Sequence, residues 1–167
     1  MKGYNNTRYK IISLIPIILL LIGIFSFSAQ NGDKSGSTSY RICISIVKLQ
    51  KAVFKEDWSQ QQMDERAERL QVPVRKGAHM GEYALLAVLF CIHLNFYQLQ
   101  QKSKIALSFL LTVLCAGVDE IHQLFVPARA GQFLDVLIDS VGAAAGIIFF
   151  VILYQFYKRK RVKGSRV

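Results

Sequence analysis

The sequence predicts an all-α, polytopic membrane protein: a four-transmembrane-helix bundle with an amphipathic outer segment between helices 1 and 2. Three observations carry this. Of 167 residues, 52% are hydrophobic and only 19% charged, a balance outside the range of ordinary soluble domains. Four apolar runs approach the roughly 20 residues a helix needs to cross the hydrocarbon core at about 1.5 Å rise per residue. The charges are also distributed unevenly between the segments that join those runs. No repeat or low-complexity tract divides the chain, so a single membrane domain over 1–167 is expected.

The first span, about 11–28, reads "IISLIPIILLLIGIFSF" behind Lys2, Arg8 and Lys10. A secretory signal peptide has the same outline, and Ser26 and Ser28 are suitably small for cleavage. The apolar run is longer than a usual signal core, which favours an uncleaved helix. Pro16 within it is tolerable in a bilayer.

The outer segment follows, over residues 29–75. "SAQNGDKSGSTS" reads as a loop. In "YRICISIVKLQKAVFK", Ile42, Ile46, Leu49 and Val53 recur at helical spacing, with Arg41, Lys48, Lys51 and Lys55 mostly elsewhere around the helix. Two arrangements suit that pattern: a helix lying in the membrane interface with its basic side toward lipid phosphates, or one packed on the outer ends of the bundle. "EDWSQQQMDERAERL" continues as a polar helix with Trp58 as an interfacial anchor. "QVPV" then predicts a break, because Pro73 discourages helix at the residue before it. The remaining spans run over about 77–97, 104–125 and 133–157.

Four spans put the N-terminus, the "QLQQKSK" turn and the "YKRKRVKGSRV" tail on one side, where no acid stands beside the basic residues. All 11 Asp and Glu then lie on the other side or at that end of the spans. By the positive-inside bias the acid-free side, with both termini, is cytoplasmic. The net charge of +10 is thus a signal of topology and of attraction to anionic lipid, the bilayer being the first partner, and not a nucleic-acid footprint. Cys43, Cys91 and Cys115 form no C-x-x-C pair, and the two in apolar helices read as small buried hydrophobes.

In this topology one layer collects the ionisable residues. "RKGAHMGEY" opens the second span, "DEIHQLF" closes the third, and the fourth starts just after Arg129. Lys76, His79, Glu82, Tyr83, Asp119, Glu120, Gln123, Arg129, Asp135 and Asp139 therefore share one end of the bundle. Asp139 lies about six residues into its helix, roughly 9 Å deep, where an unpaired carboxylate costs up to about 2.5–3.5 kcal/mol. Asp135 and Asp139 stand one above the other on a single face, which continues to Gly142 and Gly146, a small-x-x-x-small pair that admits another helix closely. The acidic face is therefore the packed face. Lys76, Arg129 and a protonated His79 are the cations available to the acids, and a polar cavity open toward the outer leaflet follows. His122, among Ile121, Leu124 and Phe125, reads as an interface residue, and His93, at the other end of its helix, is given no function.

"RKGAHMGEYALLA" followed by "DEIHQLFVPARAGQFLDVLIDSVGAAAG" resembles the VanZ family of bacterial membrane proteins, named for a component linked to teicoplanin resistance. The shared pattern falls on Lys76, His79, Tyr83, Asp119, Glu120, Gln123, Arg129, Asp135, Gly142 and Gly146, and "FSFSAQ" is similar to the family's Phe-Ser-x-Gln segment. Met80 stands where an aromatic is expected and Ala128 where a Gly is expected. The resemblance implies four spans, a bacterial cytoplasmic membrane and lowered sensitivity to lipoglycopeptides. It supplies no accepted reaction.

The residues leave several functions open. A binder of a lipid-linked cell-wall precursor or lipoglycopeptide head group would hold an anion on Lys76 and Arg129, and amines or hydroxyls on the acids. A membrane hydrolase or transferase would use His79 or Glu82 as base, Asp119 and Glu120 as an acid/base pair or metal ligands, and Arg129 to stabilise an anion. A proton or cation path finds no ionisable residue in the cytoplasmic halves of the third and fourth spans. The bland reading is a buried ionic network that holds helices together and binds nothing. His79-x-x-Glu82 is not a specific metal spacing, so neither metal nor other cofactor is expected.

Overall fold

The computed structural model describes residues 7–30, 32–127, 129 and 131–164, with side chains from Gly36 in its second helix and as far as Arg159 in its last. The described residues form five helices: α1 (Thr7–Ser28), α2 (Gly32–Phe54), α3 (Gln60–Leu94), α4 (Gln101–Gln123) and α5 (Phe133–Gly164). Four of them, α1, α3, α4 and α5, are long and apolar enough to cross a membrane. The apolar residues left exposed on them, such as Ile18 and Ile22, Leu110 and Leu114, or Val141 and Ile148, need lipid as their solvent. Lys2 and the side chains beyond Arg159, on which much of the orientation argument rests, lie outside the described residues.

α3 is the hub, packing against each of the other helices. One side of it meets α1 and α4 through Tyr83, Leu86 and Phe90 against Ile17, Ile24 and Ala116. Another meets α5 through Ala87 and Cys91 against Ala143 and Ile147. α4 buries Ser108, Thr112 and Ala116, small residues one turn apart, as membrane helices commonly do where they approach a neighbour. α3 and α5 run parallel. Lys76 is bonded to Asp135, and further along the seam the backbone of Met80 and Ala84 lies against Gly142 and Gly146, leaving no room for a side chain on either glycine.

Two expectations fail in the outer segment. The Gly- and Ser-rich stretch is not a loop from Gly32 onward but the first turns of α2. Local propensity is overridden there by the packing of α2 on α3, where Cys43 and Val47 are buried against Met63 and Ala67 and the Tyr40 hydroxyl donates to Asp64 Oδ1 at 2.7 Å. The face so buried is not the one the spacing singles out, since Ile42, Leu49 and Val53 remain exposed. α2 ends in a left-handed residue, Lys55 at φ 53°, with Glu56 N donating back to Lys51 O. Ser59 and Gln62 then start α3 with a reciprocal capping box.

Nor does Pro73 break the chain: α3 runs through it for 35 residues. The ring removes one backbone hydrogen bond at an exposed position, while α2 holds the helix before it and α5 the helix after it. A proline in a helix interior costs about 3 kcal/mol. Pro73→Ala is therefore expected to raise the thermal midpoint of the purified protein, and an unchanged or lowered midpoint would mean that the proline ring itself contributes to packing.

Candidate functional site

At the end of the bundle where α3 enters and α4 leaves, a recess of about 230 Å³ opens between α3, α4, α5 and the α4–α5 connection. Seven of the residues singled out in the sequence line it: Lys76, His79, Glu120, Gln123, Arg129, Asp135 and Asp139. Lys76 Nζ donates to Asp135 Oδ1 at 2.5 Å, tying α3 to the first turn of α5, where a carboxylate also suits the helix dipole. Glu120 accepts from Gln123 Nε2 at 3.3 Å on one oxygen and from the Gln132 backbone N–H at 2.9 Å on the other. Asp139, only 2% exposed, has no hydrogen bond or ion pair among the described residues.

The other candidates are placed differently. His79 Nδ1 stands 3.7 Å from Glu82 Oε2, a loose contact, and Glu82 does not line the recess. Asp119 is buried and accepts from Gln123 Nε2 at 3.0 Å on one oxygen, its other having no partner among the described residues. Tyr83 lies one turn below His79, sealed in the core between α1 and α4 with its hydroxyl unpartnered. It shares the stripe of Lys76 and His79, but at a depth where the helices have closed together. His122 faces the Phe25 ring, their centroids 5.8 Å apart. At the opposite end His93 Nδ1 and Ser13 Oγ are 2.8 Å apart, joining α3 to α1. Among the described residues no three His, Cys, Asp or Glu side chains are grouped to hold a metal ion.

A family model described as VanZ/LLP1 matches residues 13–154, most of the chain. The chain belongs to the VanZ/LLP1 family. No curated protein and no solved structure matches it. The matched residues take in the whole of α2, α3 and α4 with most of α1 and of α5, so the recess lies wholly within the VanZ/LLP1 region. Of the two departures from the VanZ pattern, Met80 packs against Gly142, and Ala128 lies outside the described residues.

In this VanZ/LLP1 protein Arg129 does not pair with a carboxylate, as its charge had suggested. Its Nε donates to Gln30 O at 3.1 Å, one terminal nitrogen to Phe27 O at 3.1 Å and the other to Gln123 Oε1 at 3.4 Å. The guanidinium thus satisfies carbonyls at and just beyond the end of α1, where the helix dipole favours a cation. Burial, and secondarily the charge of Arg75, pulls its pKa below the ordinary value, Asp119 and Glu120 opposing this; it remains a cation. Charge-assisted bonds of this kind contribute about 1.5–3 kcal/mol. Arg129→Ala should speed amide exchange in the last turn of α1 roughly tenfold or more, and Arg129→Lys should do nearly the same, because one ammonium cannot span three acceptors set out as a fork. Unchanged exchange in both would show that α1 is held from elsewhere.

Four lining residues, Val72, Arg75, Gln132 and Ile138, were not singled out from sequence. Arg75 was findable, since it stands four residues before His79 and so on the same helix face. Gln132 acts through its backbone, which no side-chain pattern reveals.

Proposed function

We propose that this protein works in the bacterial cytoplasmic membrane with both termini in the cytosol, presents the recess at the outer leaflet, and binds there the head group of a lipid-linked envelope molecule or lipoglycopeptide, lowering sensitivity to teicoplanin. The observation that carries the reading is the convergence of charged and polar side chains from three helices on one recess, at the end of the bundle away from the acid-free basic turn and tail. A purely structural ionic network needs neither a recess between its helices nor a buried carboxyl left without a partner among the described residues. The volume of about 230 Å³ falls just under the roughly 300–1,000 Å³ of sites that enclose a drug-sized ligand. It suits a head group and not a whole lipoglycopeptide.

Reporter fusions after Ser39, Gln100 and Val126 test the orientation; a Gln100 turn on the outside would move the recess to the cytosol and end the outer-leaflet reading. His79→Ala and Asp139→Asn test the function, with protein level and teicoplanin sensitivity measured together. Normal accumulation with sensitivity restored is the expected result, whereas normal accumulation with resistance intact removes the recess from the function.

The position of His79, its Nδ1 buried and unbonded beside Glu82, favours a second reading, a hydrolase or transferase on a lipid-linked substrate, with His79 as general base. It requires turnover of a labelled lipid-linked precursor that His79→Ala abolishes without weakening binding.

A further inference from the structure

Resting on the head-group reading, the bonds inside the recess narrow the ligand. Lys76 is committed to Asp135, and Arg129 to the carbonyls ending α1 and to Gln123. Both oxygens of Glu120 accept internal hydrogen bonds. Two lining ionisable groups then stand without a hydrogen bond or ion pair among the described residues: the Arg75 guanidinium and the Asp139 carboxyl. Arg75 is half-buried next to Lys76, at the level of Asp135. Asp139, buried on the recess wall, is one helical turn further along α5, about 6 Å deeper.

We infer that the recess is a zwitterion site, in which Arg75 holds a phosphate or carboxylate nearer the mouth and Asp139 an ammonium about one turn below. A ligand with only an anion would leave the buried Asp139 carboxyl without a partner, and one with only an ammonium would meet Arg75, so selectivity comes from unmet partners and repulsion as well as attraction. Amino-phosphate head groups, whether on a membrane lipid or on a soluble molecule, supply both charges in one ligand. A guanidinium is also the group that engages a phosphate through two donors at once.

The test uses full-length protein in neutral detergent and three soluble probes: phosphoethanolamine, glycerol 3-phosphate and ethanolamine. Phosphoethanolamine is expected to bind at least about tenfold more tightly than either probe that carries charge of one sign only. Arg75→Gln should remove its advantage over ethanolamine, and the isosteric Asp139→Asn its advantage over glycerol 3-phosphate. If wild-type protein binds glycerol 3-phosphate as tightly as phosphoethanolamine, the zwitterion assignment is wrong while the head-group reading survives. If none of the three binds, both fall. If Lys76→Gln or Arg129→Gln removes the anion preference and Arg75→Gln does not, Arg75 is the wrong residue. Repeating the titration in phosphatidylglycerol vesicles with and without phosphatidylethanolamine separates the sources: loss of soluble-probe binding in the second lipid assigns a lipid head group, unchanged binding a soluble one, and either keeps the zwitterion assignment.

Discussion

Replacing Gly142 or Gly146 with Ala is expected to cost about 1–3 kcal/mol each, and with Leu to prevent accumulation in the membrane. A Cβ at Gly142 would overlap the carbonyl oxygen of Met80, and one at Gly146 the carbonyl oxygen of Ala84. Backbone cannot rotate aside as a side chain can, so α3 and α5 must separate. Both obstructions lie in one seam, one turn apart, so the separation extends to the Lys76–Asp135 pair and opens the recess. In lipid there is no hydrophobic drive to restore the contact, because lipid tails cover the exposed faces equally well. Gly81→Ala and Gly117→Ala are the controls, since nothing lies within 4 Å of a Cβ at either place. Helix propensity alone should make them neutral or stabilising by about 0.5–1 kcal/mol. Thermal midpoints in detergent distinguish the two pairs, and four equal values would refute the close approach of α3 and α5.

Asp135→Ala is expected to cost about 1.5–3 kcal/mol by stranding the Lys76 ammonium. The lower end applies, because the two side chains are 33% and 28% exposed and water screens part of the loss. The double variant Lys76→Ala/Asp135→Ala should lose less than the two single variants summed, since no charge is then left alone. Strict additivity of the three thermal shifts would show that the pair is not coupled.

Much of the fold was legible because hydrocarbon thickness imposes itself on a sequence more strictly than water does. All four spans follow from apolar runs, and the packed face of α5 follows from Asp135, Asp139, Gly142 and Gly146 recurring at helical spacing. Legibility failed where tertiary contacts outweigh local signals. Gly32 to Ser39 carry the composition of a loop yet begin a helix, and Pro73 sits in the middle of one. In the site, the identity of residues was easier to read than their commitments. Arg129 looked like a ligand for anions because its acceptors are backbone carbonyls from 99 and 102 residues earlier, which leave no mark in a side-chain pattern. Arg75 was overlooked although its spacing to His79 was plain, because a basic residue at the mouth of a span reads as an interfacial anchor.

The attachments of α1 bear on how the chain is assembled. This helix is mostly exposed to lipid, and its end fastenings reach His93 at one extremity and Arg129 at the other. A ribosome delivers α1 to the bilayer long before either residue has been made. Early in synthesis α1 must survive as a solitary span, which its unbroken apolar surface permits, while α2 and the start of α3 can pair as soon as they emerge. The clasp at Arg129 closes only once the last connection has been translated. Completion of the recess is thereby coupled to completion of the bundle, and a nascent chain truncated before Arg129 would hold that end of α1 by its side-chain packing alone, with the carbonyls of Phe27 and Gln30 unclasped.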